Sequence, residues 1–173
     1  MSVYLNNIGK FFGLFALQVL IFSHLNLSYY VNPYIHILFL LTLPVSIPPA
    51  YLLIIGFASG LALDTFLDTT GLHAFASVLI AFIRSFFLRL LVPKGTFELM
   101  QHPNLNALGP VLFFYYITLH TFVYLFVYFS LEIFSFRQTG AILLKTVLST
   151  ALSIVLMLIL AYLFSSNKKK RAA

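Results

Sequence analysis

The sequence predicts an all-α, polytopic membrane protein, and three observations predict it. The chain of 173 residues is 61% hydrophobic, with a mean hydropathy of +1.02. Charged residues make up 8% of it, against about 25% in an ordinary soluble domain. Its apolar runs reach about 20 residues between prolines, glycines and charges, the length a helix needs to cross hydrocarbon. The length accommodates about six transmembrane helices with short connections, as one domain over 1–173. The longest polar connection, Pro93 to Gly109, is too short for a folded soluble module. An attached ATPase, kinase or sensor domain is therefore not expected. The chain has no cysteine, so disulfides, thiol catalysis and thiolate metal sites are excluded.

The first apolar run covers about Phe11 to Leu27, after Lys10. No small-x-small cleavage site follows it, so it reads as a retained helix rather than a signal peptide. Asn32-Pro33 breaks the chain. The second run, about Tyr34 to Ile47, is short for a span, and Pro44, Pro48 and Pro49 kink and end it. Whether 34–49 crosses fully or re-enters is left open by its length. The third run covers about Tyr51 to Leu67, and Asp68-Thr69-Thr70-Gly71 is a turn by composition. The fourth covers about Leu72 to Val92. The fifth covers about Pro110 to Phe134, with proline placed for a first helical turn. The sixth covers about Gly140 to Phe164.

The net charge of +6 is explained by orientation rather than by nucleic acid. With six spans and a cytoplasmic N-terminus, Lys10, Arg89, Lys94 and the run Lys168, Lys169, Lys170, Arg171 all fall inside, and only Arg137 falls outside. The terminal run reads as a membrane anchor, with anionic-lipid binding as the alternative. No tryptophan is present, so Tyr4, Tyr29, Tyr30, Tyr51, Tyr116 and Tyr162 are the expected interfacial belt.

Gly56, Gly60, Asp64 and Asp68 recur every fourth residue and form one stripe on the third helix. Glycines admit a close neighbour, and a carboxylate costs about 2.5–3.5 kcal/mol at a helix centre, so the stripe is expected to face protein. Asp68 reads as a helix-end turn residue. Asp64 reads either as half of a structural ion pair or as a binding or coupling residue. Lys145 and Glu132 match Asp64 in depth, and the three are expected to form one charge cluster. Arg84 lies deeper, either snorkelling or meeting a partner on another helix. His120, at similar depth, reads as a polar packing residue. Lys145, Ser149 and Ser153, beside Thr146 and Thr150, give the sixth helix a polar face suited to interhelical hydrogen bonds. Gly9 and Gly13 make a GxxxG on the first helix. The histidines lack metal-ligand spacing, and there is no HExxH, P-loop or GxSxG motif, so neither enzyme chemistry nor a cofactor is expected.

Gly60-x3-Asp64 followed by Gly71-Leu72-His73-Ala74 resembles the signature region of MreD, the bacterial rod shape-determining membrane protein family. The resemblance is specific over about Gly56 to Ala76, and includes Gly71 opening the next helix. It implies a non-enzymatic component of the cell-elongation machinery in the bacterial inner (cytoplasmic) membrane. Such a component organises lateral peptidoglycan synthesis with MreC, MreB, RodA and a transpeptidase. The family is similar in fold to the substrate-binding components of energy-coupling-factor transporters. That similarity supplies the alternative, a membrane subunit binding a small, vitamin-type molecule. The short expected outer connections offer little material for a lid over a ligand, which favours the scaffold reading.

Overall fold

The computed structural model describes residues 2–22, 31–92, 100–134 and 136–171; for 2–8, 10, 21–22, 136 and 165–171 it describes backbone only. The described elements are helical. Helix α1 (Ser2–Leu17) runs into a π-helical turn, Gln18–Phe22. An extended stretch leads to the short α2 (Ile37–Thr42). Then follow α3 (Pro49–Leu67), α4 (Leu72–Leu91), α5 (Leu105–Ile133), a 3₁₀ turn (Phe136–Gln138) and α6 (Thr139–Arg171). Among the described residues, four helices are long and apolar enough to cross a membrane: Pro49–Leu67, Leu72–Leu91, Leu105–Ile133 and Thr139–Phe164.

Local chemistry explains the helix ends. Pro49 starts α3 at a position where its missing N–H is no loss. Asp68 ends α3 in the left-handed region (φ 53°), and Gly71 precedes α4 at φ 84°. Aspartate tolerates that region, and glycine enters it without strain. Asn104 caps α5 through its side-chain oxygen, which accepts from the amides of Asn106 and Ala107 at 3.0 Å each. Gly109 (φ 73°, ψ 166°) interrupts the helical path, and Pro110 restarts it.

The first expected span is helical through Phe22, and 23–27 lie outside the described residues; the second departs from a continuous long helix. The second has only six helical residues, those of α2, between extended backbone before it and turns and bends after it. Pro33 and Pro44 bracket this helical stretch and limit its extension. Extended backbone inside a bundle needs hydrogen-bond partners, and neighbouring side chains provide them. The Asn32 amide donates to Ser149 Oγ at 3.1 Å and the Tyr34 amide to Ser153 Oγ at 2.9 Å. Gln18 accepts from the Ile35 amide at 2.7 Å and donates to the Pro33 carbonyl at 3.1 Å. The polar face of α6 thus serves unwound backbone.

Helix α3 packs on α4, α4 on α5 and α5 on α6, while α2 lies against α1, α4 and α5. One end of the bundle carries the 68–71 turn and the α5–α6 turn; the other carries 43–48 and 100–104. The 31–46 segment passes between them. Tyr34 lies near His73 and Tyr128 at the first end, with ring centroids 5.3 and 5.4 Å apart, and Val45 bonds Gln101 at the second. The core is built around Ile35, Ile37, Leu38, Ile80, Phe113, Ile117, Leu125 and Phe129, all buried. Tyr51 and Tyr162 are exposed, but Tyr116 is fully buried, contrary to its expected place in an interfacial belt. Tyr4, Tyr29 and Tyr30 lie outside the described side chains. A Cβ on Gly9 or Gly13 would meet nothing within 4 Å, so that GxxxG packs on no described neighbour.

Candidate functional site

Asp64 is the anchor of the site. It is buried one turn before the end of α3, and its carboxylate reaches the first turn of α4. Oδ1 accepts from the His73 amide at 3.0 Å, and Oδ2 from the Ala74 amide at 2.9 Å. The Thr69 hydroxyl also donates to Oδ1. The first amides of a helix lack intrahelical partners, and an N-cap side chain normally accepts from the second and third. Gly71, the N-cap of α4, has no side chain to do so. Asp64 performs that task from the preceding helix, and the positive end of the α4 dipole stabilises its charge.

Gly60 permits this approach. A Cβ there would lie 2.5 Å from both the Ala74 Cα and the His73 carbonyl oxygen. At Gly56 it would lie 3.0 Å from the Ser77 carbonyl and 3.1 Å from the Ala81 Cβ. Gly56, Gly60 and Asp64 therefore all face α4. Asp68 leaves the stripe, because the helix ends at Leu67, and its side chain is exposed.

The expected cluster of Asp64, Glu132 and Lys145 is divided. Lys145 Nζ lies 3.9 Å from Glu132 Oε2 and 5.7 Å from the centre of the Phe129 ring. Asp64 is held by backbone amides instead of by Lys145. Matched depth did bring Glu132 and Lys145 together across the α5–α6 turn. It failed for Asp64 because that residue lies on α3, with α4 and α5 packed in between.

Beside Asp64 lies a buried polar cluster. The Tyr124 hydroxyl is 2.7 Å from His73 Nδ1 and 3.0 Å from His36 Nε2. His73 stacks on Tyr128, with ring centroids 4.4 Å apart. His36 Nδ1, His73 Nε2 and Ser77 Oγ are buried without a hydrogen-bond partner among the described residues. These side chains come from three elements: the stretch before α2, α4 and α5. A carrier of this cluster is visible in the sequence. Tyr116, His120, Tyr124, Tyr128 and Glu132 recur at every fourth position of α5 and form a polar ladder. Reading each residue singly missed it.

Arg84 occupies the other end of the ladder. It is 2% exposed and does not snorkel. Nε donates to the Tyr116 hydroxyl at 3.2 Å, and Nη2 donates to the Leu43 carbonyl. Tyr116 donates in turn to the Leu41 carbonyl at 3.0 Å, and His102 Nδ1 lies 3.3 Å from the Thr42 carbonyl. Arg84, Tyr116 and His102 thus attend the last carbonyls of α2. His120 Nδ1 lies 2.7 Å from the Tyr116 carbonyl, and its ring meets Phe87 edge-on. No group of three or more histidine or acidic residues among the described ones is placed to hold a metal ion. The side chains of Lys168, Lys169, Lys170 and Arg171 lie outside the described side chains, although their backbone continues α6.

Comparison with protein-family models, with curated proteins and with solved structures finds no match.

Proposed function

We propose that the protein is a non-enzymatic scaffold of the MreD type in the cell-elongation machinery of a bacterial cytoplasmic membrane. One observation carries this reading. The residues that resemble the MreD signature, Gly60, Asp64 and Gly71, act as one physical unit. Gly60 admits the first turn of α4, Asp64 caps that turn, and Gly71 supplies the left-handed step before it. A motif spent on locking two helices suits a protein that presents fixed membrane surfaces to partners. Those partners are an MreC-like bitopic protein and, through the complex, MreB, RodA and a transpeptidase. The chain crosses six times, with the 31–46 segment as a broken crossing. Both termini are cytoplasmic, and Lys168 to Arg171 anchor the last helix.

The second reading is a substrate-binding subunit of a small-molecule transporter. The convergence of His36, His73, Tyr124 and Ser77 favours it, because buried polar groups orient ligands in such sites. Opposed to it, the crevice beside His36, lined by Phe11, Leu14, Phe15, Phe39 and Ser59, leaves no room even for a water molecule. Co-purification from native membranes in mild detergent separates the two. An MreC-like protein and RodA in the eluate support the scaffold, and an energising ATPase in their place overturns it. Reporter fusions at Asn104 and the C-terminus should read cytoplasmic, and one at Thr70 external.

A further inference from the structure

We infer that His36, Tyr124 and His73 form a buried two-state proton relay, in which the protonation patterns of the two rings are locked together by one hydroxyl. This goes beyond the scaffold reading and does not depend on it.

A phenol has one proton to donate, and a neutral imidazole has one N–H and one bare nitrogen. Tyr124 Oη lies within hydrogen-bond distance of both rings, at His36 Nε2 and His73 Nδ1. Both hydrogen bonds form in two arrangements of a continuous chain; a third, in which both rings donate to the two lone pairs of Tyr124 Oη and its O–H turns away, breaks the chain and gives the rings different tautomers. In the first, His36 Nε2–H donates to Tyr124, and Tyr124 O–H donates to a bare His73 Nδ1, so both rings carry their proton on Nε2. In the second, His73 Nδ1–H donates to Tyr124, and Tyr124 O–H donates to a bare His36 Nε2, so both rings carry it on Nδ1.

The two arrangements interconvert with every atom accounted for. A hydronium ion gives a proton to His36 Nδ1 and becomes water. The Nε2 proton of His36 passes to Tyr124, and the phenolic proton passes to His73 Nδ1. The Nε2 proton of His73 leaves to a second water. One proton enters, one leaves, and no ring or phenol stays charged. The nitrogens at the two ends of this chain, His36 Nδ1 and His73 Nε2, are both buried and unpartnered among the described residues. His36 also borders the narrow crevice lined by Phe11, Phe15 and Phe39, which would have to widen to admit water. The groups facing the triad are Asp64 from α3, Ser77 from α4, Tyr34 from the stretch before α2, and Tyr128 from α5. Asp64 is bound to the His73 amide, which holds the ring's backbone in place during the exchange.

The test is solid-state nitrogen NMR of the full chain in lipid bilayers, labelled in its histidine rings. The expected result is the same tautomer in His36 and His73, with both rings exchanging at one common rate. Different tautomers in the two rings, or unrelated rates, overturn the relay. Tyr124→Phe removes the shared hydroxyl and should uncouple the rings, with at least a tenfold difference between their rates. His120 is on the same helix one turn away, and its unchanged signals report that the variant has folded. A common rate that survives in Tyr124→Phe also overturns the proposal. If that variant does not fold, the native chain decides: different tautomers or unrelated exchange rates in the two rings overturn the relay.

Discussion

Asp64 and Arg84 are both buried charges, and each attends a helix end rather than an opposite charge. They do so in contrasting ways. At the start of α4, one carboxylate takes two amides and a hydroxyl, so the whole cap rests on a single residue. At the end of α2 the work is shared, with Tyr116 on Leu41, His102 on Thr42 and Arg84 on Leu43. The dipole sign suits each, an anion at an N-terminus and a cation at a C-terminus. The difference teaches where the fold is brittle. A concentrated cap fails all at once, whereas a shared one fails in parts.

The largest effect should come from closing the approach that makes the concentrated cap possible. Gly60→Leu places side-chain atoms where the α4 backbone already lies, and should abolish recovery of folded protein. Gly13→Leu, with open space around it, should leave yield and thermal unfolding near native. Native unfolding of Gly60→Leu in detergent would sink the close-packing account.

Next comes the cap itself. Asp64→Ala strands the amides of His73 and Ala74 and the Thr69 hydroxyl, and should cost about 2–4 kcal/mol. Asp64→Asn keeps one acceptor oxygen and should cost roughly half of that. Reversible unfolding titrations measure both, and equal losses would show that the single remaining oxygen contributes nothing without the charge and the second oxygen.

Arg84→Met should cost less, about 1–2 kcal/mol, because it strands the Leu43 carbonyl while removing a desolvated cation of similar length. If this variant proves more damaging than Asp64→Ala, the contrast between concentrated and shared caps is wrong. The smallest effect belongs to Lys145. It meets Glu132 at 3.9 Å beside a half-open carboxylate, so Glu132→Gln should change stability by less than about 1 kcal/mol. Since Asp64 and Lys145 hold separate partners, a double-mutant cycle between them should be additive within about 0.5 kcal/mol.

Much of this was legible in sequence, for definite reasons. The Gly56–Gly60–Asp64 stripe predicts a face turned toward protein, because spacing alone sets which residues share a helix face. The α5 ladder from Tyr116 to Glu132 was open to the same reading. Its residues escape notice when tyrosines are assigned to an interfacial belt by type. Asp64's partner was not legible. A depth of 1.5 Å per residue ranks groups along the membrane normal but says nothing about which helices are neighbours.

Composition, run length and breakers by themselves determined a helical membrane protein and the ends of α3 and α4, whereas the helix start expected at Pro110 lies inside α5, which begins at Leu105 and resumes at Pro110. Those properties depend on transfer free energy and local backbone sterics, which each short segment carries with it. Only the tertiary structure decided that the second segment stays largely unwound, since its amides find Gln18, Ser149 and Ser153 from distant parts of the chain. It alone also decided that Asp64 and Arg84 meet helix ends instead of opposite charges. A backbone dipole belongs to no residue type, so it becomes a partner only when packing carries it within hydrogen-bond reach.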